Sequence, residues 1–357
     1  MEQWQLQDGD QEAGDGSEAL YERVSITVDR GQEPLRIDKF LMNRIEHATR
    51  NKIQQAADEG HILINNQPVK SNYRVKPGDQ ILVLSYRSPE TLEIIPEDIP
   101  LDIVYEDEDL LVVNKPPGMV VHPGCGNYHH TLLHGLAWHL GDEEERGQAQ
   151  TPVVPRFGLV HRIDKNTSGL LVVAKSEKAM NDLARQFFEH TVHRRYLALA
   201  WGDIEEEEGT IIAHVGRHQR FRKRMTAYPD GELGKEAITH YKVLERFHYV
   251  TFIECRLETG RTHQIRVHMQ YAGHPLFNDE TYGGDRIVKG TVFNKYKQFV
   301  ENCFELLPRH ALHARSLGFI HPRTREKMYF ETPLPADYEV LLDKWRRYAG
   351  SVIPPEN

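Results

Sequence analysis

The chain has 357 residues, of which 39% are hydrophobic, 27% charged and 9% aromatic; that supplies a packed core and excludes a disordered or collagen-like protein. No apolar run approaches the about 18 residues of a membrane helix, and the three scattered cysteines (Cys125, Cys255, Cys303) suit neither a disulfide framework nor a Cys-rich zinc site. The net charge of −9 weighs little against a nucleic-acid partner, because residues 1–23 carry seven acidic residues and one basic one, whereas Arg217–Arg224 is strongly basic. The acidic start lacks the blocks of a signal peptide, so the expectation is a soluble cytoplasmic protein, a monomer without a membrane contact.

Residues 1–22, rich in Gly, Asp and Gln, are predicted to form a disordered acidic tail. Residues 23–85 read as a small complete unit. Ile37, Phe40, Leu41 and Ile45 share one helical face, and Thr49 caps a second helix, carrying Ile53, Ala56 and Ala57, that Gly60 ends. His61–Asn65 alternates into an Asn65-Asn66 turn, and Pro77-Gly78-Asp79 introduces a strand over Gln80–Ser85. Arg36, Lys39, Arg44, Arg50 and Lys52 make the helical surface basic. The stretches RIDKFL and TRNKIQQAADEGHILINNQPVKSNYRVKPGDQI resemble the S4-like RNA-binding module. That resemblance implies a small α/β domain whose helix pair docks on structured RNA through phosphate contacts. Residues 86–100, punctuated by Pro and Glu, read as a linker.

From 101 to 345 strand and helix signals alternate without a repeat. Ile103–Tyr105 and Leu110–Asn114 flank an acidic turn, and Lys115-Pro116-Pro117-Gly118 stops the second strand. Leu170–Ala174, apolar throughout, predicts a buried strand; Met180, Leu183, Ala184, Phe187 and Phe188 mark an amphipathic helix. Tyr196–Ala200, Thr239–Leu244 and Val250–Glu258 are further strands. Without a regular βαβ beat the pattern favours an α+β fold over a doubly wound one. Residues 346–357 are expected to be a tail, frayed after Trp345.

Two polar clusters stand out. Gly158 to Gly169 (GLVHRIDKNTSG) lies between apolar strands, where a polar loop presents side chains at a sheet edge. Gly260 to Arg266 (GRTHQIR) leads from a strand into a helix and offers a row of donors suited to a phosphate or carboxylate partner. Each alone is a turn. Together with HRRYLALAWG, RHALHARSLGFIHP, VVNKPPGMVVHP, GKEAITHYKVLE and HPLFNDETYGG they resemble the pseudouridine synthases, more narrowly the RluA/RluD family, over residues 24–340.

That resemblance implies an α+β catalytic domain, residues 101–345, with a central mixed, largely antiparallel sheet. It implies isomerisation of uridine to pseudouridine in RNA, most readily large-subunit (23S) ribosomal RNA, with transfer RNA as the alternative. Asp164 matches the family nucleophile, which attacks ribose C1′ or uracil C6; Arg266 matches the arginine that pairs with it. Tyr196 matches the tyrosine that stacks on the target base and is the candidate to take the C5 proton. A paired uridine has to leave the stack, and Arg162 matches the residue that fills the gap. Leu312 matches the apolar pocket residue, Arg261 is assigned to phosphate, and His161 and His263 to holding loops. Arg220, Arg222, Lys223 and Arg224, in the basic run, are expected to grip RNA. Because the reaction gains no atom, no metal and no cofactor is expected. Ile163, Asn278 and His193 depart mildly from the family pattern; Asn278 stands where Gly is common, and Asn tolerates a left-handed backbone. The rival readings are a metallohydrolase using His129, His130 and His134, His263 and His268, or His310 and His313; a glycosylase; and a non-catalytic RNA-binding protein involved in ribosome assembly.

Overall fold

The computed structural model describes residues 21–45, 50–85, 94–124, 126–141, 158–221 and 224–352, which fall into two compact units meeting at Glu93/Ile94. The expected tail therefore lies outside the described residues except for its last two positions, which open a strand.

In the first unit β1 (Tyr21–Thr27), α1 (Ile37–Met42), α2 (Arg50–Asp58), β2 (Ile62–Ile64), β3 (Gln67–Pro68) and β4 (Gln80–Ser85) follow one another. The strands form an antiparallel sheet ordered β1-β4-β2-β3. Asn65 and Asn66 both take positive φ, 50° and 66°, as a two-residue hairpin turn requires. Ile37, Phe40, Leu41, Ile53 and Ala57 pack against Ile62, Ile64 and Ile81 in a single core. α1 stops at Met42, so Ile45 reaches that core from beyond the helix; Thr49 lies outside the described residues.

The second unit runs β5 (Ile103–Glu106), β6 (Leu110–Lys115), α3 (Leu132–Leu140), β7 (Ser168–Ala174), α4 (Glu177–Phe188), β8 (His193–Trp201), β9 (Glu208–Ile212), β10 (His214–Arg217), β11 (Met225–Tyr228), β12 (Ile238–Arg246), β13 (Val250–Leu257), α5 (Gln264–Tyr271), α6 (Asn294–Leu306), β14 (Leu312–Ile320), β15 (Lys327–Glu331) and α7 (Ala336–Val352). Nine strands make one sheet ordered β5-β6-β7-β14-β8-β13-β12-β9, with β15 also on β14. Only β7 and β14 pair in parallel, so the sheet is mixed and largely antiparallel, as expected.

Both faces of this sheet are covered, which is why its central strands are apolar at every position rather than at alternate ones. Along β7, Leu171 and Val173 join the core with α3, while Leu170, Val172 and Ala174 join the core with α4. Along β8, Tyr196, Ala198 and Ala200 face the α3 and α5 side, and Leu197, Leu199 and Trp201 face α6 and α7. The same alternation turns Tyr196 toward the polar loops. β7 meets β14 through Gly169, where φ is 111° and a Cβ would sit 2.2 Å from the Ala314 carbonyl oxygen; no side chain fits there.

Three expectations change. α7 continues past Trp345 to Val352, because Tyr348 stacks on Phe299 (4.5 Å between centroids) and Ala349 is buried beside Trp345. Ile94 is buried in the core that holds α3, so residues 94–100 belong to the second unit and not to a linker; residues 86–93 lie outside the described ones. On α4, which Ser176 caps by accepting from the Ala179 N–H, the apolar stripe is Ala179, Met180, Leu183 and Phe187; Ala184 is exposed and Phe188 is 83% exposed.

Candidate active site

The two polar clusters meet. The loop before β7 and the turn into α5 enclose a cleft of about 360 Å³ lined by Arg162, Asp164, Tyr196, Arg261, His263, Arg266 and Leu312, among others. All six residues assigned to the reaction or its substrate therefore reach one place. Asp164 is 17% exposed, and its Oδ2 accepts from Arg266 Nη1 at 2.9 Å. The other side of the Arg266 guanidinium is fixed by Asp279, which accepts from Nε at 2.7 Å and from Nη2 at 2.9 Å. A planar fork held in two places has one orientation, so Arg266 presents a single N–H to Asp164. Tyr282 lies under the guanidinium, 4.9 Å from its ring centroid, and its hydroxyl bonds His263 Nδ1 at 2.7 Å.

Burial by itself would raise the Asp164 pKa; His263 and His310 when protonated, and the Arg266 charge and hydrogen bond throughout, override it and hold the carboxyl below its usual range. It is ionised at neutral pH. His263 Nε2 stands 3.7 Å from Asp164 Oδ1, so His263 belongs to the Asp164 environment as well as holding its turn. His161 keeps the expected loop role: its Nε2 accepts from the Val172 N–H at 3.1 Å. Burial raises the Tyr196 phenol, which is therefore protonated at neutral pH.

The turn into α5 is set by Gln264. Its Oε1 accepts from the Arg261 N–H and from Thr259 Oγ1, and its Nε2 donates to the Ile238 carbonyl and Thr239 Oγ1. His263, the α5 N-cap, takes φ of 57°. At the end of β6 Lys115, fully buried, gives three hydrogen bonds: to the carbonyls of Pro116, Met119 and Lys165 at 2.7, 2.9 and 3.0 Å. Burial pushes its ammonium down to about 7, against the pull of Asp164. Asp279 and Lys115 were not singled out by the sequence. Asp279 does lie within the quoted HPLFNDETYGG and Lys115 within VVNKPPGMVVHP, but nothing in their spacing names a partner. Beside Asp279, Asn278 takes φ of 56°, so the tolerated departure from Gly holds.

The basic groups are placed as follows. Arg220 and Arg224 stand at the end of the β10–β11 hairpin, Arg224 Nη2 donating to the Thr281 carbonyl; Arg222 and Lys223 lie outside the described residues. The hairpin base is tied to the cleft, since the Met225 N–H donates to the Tyr282 hydroxyl at 3.2 Å. In the first unit Asp38, fully buried, accepts from Arg36 Nε and Nη2, Arg50 Nε and Gln54 Nε2. Arg44 lies over Phe40, 3.9 Å from the centroid; Lys39 is exposed, and Lys52 sits on α2. Two arginines are thus pinned in place by one carboxylate, an arrangement that orders cations on the surface of the helix pair.

Three of the histidines weighed as metal ligands have other engagements. His310 Nε2 bonds Thr167 at 2.8 Å, His313 Nδ1 bonds Ser168 at 2.9 Å, and His268 bonds Thr239 and the Ala213 carbonyl. Glu97, His129 and His134 bring ligand atoms within 4.8 Å of one another, as do Asp107, Asp109 and His321; neither group lines the Asp164 cleft. Among the described residues no helix is long and apolar enough to cross a membrane.

The family models for RNA pseudouridylate synthase and for the S4 domain match residues 109–271 and 35–81. An uncharacterised RNA pseudouridine synthase of Chlorobaculum parvum is 46% identical over 325 residues, 90% of this chain and 98% of its own. Ribosomal large subunit pseudouridine synthase D of Neisseria meningitidis serogroup B is 43% identical over 92% of this chain and 83% of its own. Human RNA pseudouridylate synthase domain containing 1 is similar in structure, with a TM-score of 0.50 at 28% identity, covering 76% of this chain and all of its own. With that coverage, and with both polar clusters converging on Asp164, the chain belongs to the RluA/RluD family of RNA pseudouridine synthases and is an isomerase.

Proposed function

We propose that the protein converts specific uridines of 23S ribosomal RNA to pseudouridine, with Asp164 as the nucleophile on a flipped-out uridine. Arg266 is the observation that carries the chemistry. Anchored by Asp279, it keeps Asp164 ionised in a cleft too enclosed to hydrate a free carboxylate fully, which is the condition a carboxylate nucleophile needs. The carboxylate oxygen adds to ribose C1′ or uracil C6, the two electrophilic carbons within its chemistry. The N1–C1′ bond breaks, the base turns, C5–C1′ forms, the bond to the Asp164 oxygen breaks to return the free carboxylate, C5 loses its proton and N1 gains one. The atoms balance without an oxidant or reductant.

The neighbours take matching roles. Tyr196, which lines the Asp164 cleft, stacks on the uracil face and is the candidate to take the C5 proton. Leu312 closes the apolar side. Arg162, exposed at the cleft, fills the space the uridine leaves in the helix. Arg261, whose Nε is held on the Glu236 carbonyl at 2.9 Å, turns its remaining nitrogens to phosphate. Arg36, Lys39, Arg44, Arg50 and Lys52 on the first unit and Arg220, Arg222, Lys223 and Arg224 on the hairpin grip the RNA backbone, so binding is salt-dependent.

The target rests on relatives named for the large ribosomal subunit at 38–43% identity, and a ribosomal target implies a cytoplasmic enzyme. The test is a pseudouridine map of unmodified 23S transcript and a transfer RNA pool after incubation with purified protein. Discrete sites in 23S RNA are expected. Sites confined to transfer RNA would overturn the target assignment.

A further inference from the structure

Beside the Asp164 cleft lies a second one, about 990 Å³ with its open face, and the two share Arg162, Tyr196, Leu257 and Arg261 as walls. Its chemistry is one-sided. Arg162, Arg194, Arg261 and His190 line it, and no carboxylate does among the described residues.

Arg194 is the unusual member. It is 7% exposed, yet its Nε has no hydrogen-bond partner among the described residues, and Nη2 makes only a long bond of 3.4 Å to the Glu258 carbonyl. Gly260 leaves room for the guanidinium, since a Cβ there would sit 2.6 Å from Nη1. A buried cation with donors to spare, in a wall without acids, is a site for an anion. His161 and Phe187 stack at 4.4 Å to form the aromatic part of the wall, and Arg194 lies over Phe187.

Phe188 lines the same cleft and is 83% exposed. A single exposed phenylalanine needs no explanation by itself. This one closes α4 beside three arginines and next to the uridine pocket, where a bare aromatic face suits a nucleobase.

We propose that this second cleft binds a nucleotide flanking the target uridine, its base stacked on Phe188 and its backbone phosphate held by Arg194 with Arg261. The proposal rests on reading the Asp164 cleft as the uridine pocket. Phe188 then touches the substrate directly, and its contribution is to binding rather than to the chemical step.

The test compares wild type, Phe188→Ala and Phe188→Trp on whichever RNA the wild type modifies, presented as a stem-loop with each neighbour of the target either intact or abasic. Phe188→Ala should raise KM about tenfold, within the range of aromatic–base stacking, while kcat stays within about twofold; Phe188→Trp should restore KM. Removing the stacked base should cost the wild type a similar factor and cost Phe188→Ala nothing more, as expected when both changes delete one contact. A KM that does not move in Phe188→Ala, or effects of the variant and the abasic site that multiply, would overturn the subsite. Failure of the underlying reading shows separately, as turnover retained by Asp164→Asn.

Discussion

As the proposed nucleophile Asp164 needs a fixed cation, and Asp279 fixes Arg266 by taking two of its donors. Asp279→Asn leaves one oxygen where two met the fork and removes the opposing charge. We expect kcat to fall about 100-fold with KM for RNA little changed, since the loss is of alignment at the reacting carboxylate. Steady-state kinetics check this, and an unchanged kcat would mean that Arg266 is oriented without Asp279. Asp164, Tyr196, Arg266, Arg162, Arg261 and Leu312 were all readable as pieces of motifs, and the fold brings them to one cleft. Asp279 and Lys115 were not readable in that way. A carboxylate 13 residues from its arginine, or a lysine 50 residues from the loop it clamps, carries no local signature; its meaning lies in a tertiary contact.

The strands are the most legible elements, because the sheet is buried on both sides and its sequence is apolar in runs. Gln80–Ser85, Leu110–Asn114 and Leu170–Ala174 appear as strands at or near the expected limits. β14 and α3 are less so: RHALHARSLGFIHP and TLLHGLAWHL interleave histidines with apolar residues; His310 and His313 pair with Thr167 and Ser168 from another segment, and His134 pairs with Thr131, the cap of its own helix. Phe188 continues an apolar run along α4, but it lies beyond the stripe that packs on β7 and β14. Two element-scale changes test the architecture. Gly169→Ala puts a Cβ against the Ala314 carbonyl at a positive φ and should destabilise the protein by roughly 2–5 kcal/mol in urea unfolding; a loss under about 1 kcal/mol would show that β7 can shift away from β14. Replacing Arg220 and Arg224 together by Ala should reduce the slope of log Kd against log salt by roughly 1.5 for two phosphate contacts. An unchanged slope would remove the hairpin from the RNA interface.

Over the whole molecule, a net charge of −9 coexists with basic surfaces on the first unit and the hairpin, so the proposed RNA binding is a property of placement rather than of total charge. Folding carries an acid liability of its own. Burial pushes His161 down to about 3 and His310 and His313 to about 4, all below the 6.5 of an unfolded chain. The unfolded state therefore takes up more protons between those values, and the stability that is whole above about pH 6.5 is lost as pH falls toward 4. At pH 5 the loss should be on the order of 2 kcal/mol per histidine, seen as a falling urea midpoint from pH 7.5 to 5; a midpoint that stays level would mean these rings are charged when folded. On the proposed function, binding and chemistry separate at this scale, the one spread over cations from both units and the other concentrated in a single carboxylate. The most direct measurement is the pair of values, RNA affinity and single-turnover pseudouridine formation, for wild type and Asp164→Asn. The account predicts a Kd within about threefold of wild type, because Asp164 contributes no phosphate contact, together with no detectable pseudouridine. Pseudouridine formed by Asp164→Asn at a rate near that of the wild type would contradict it.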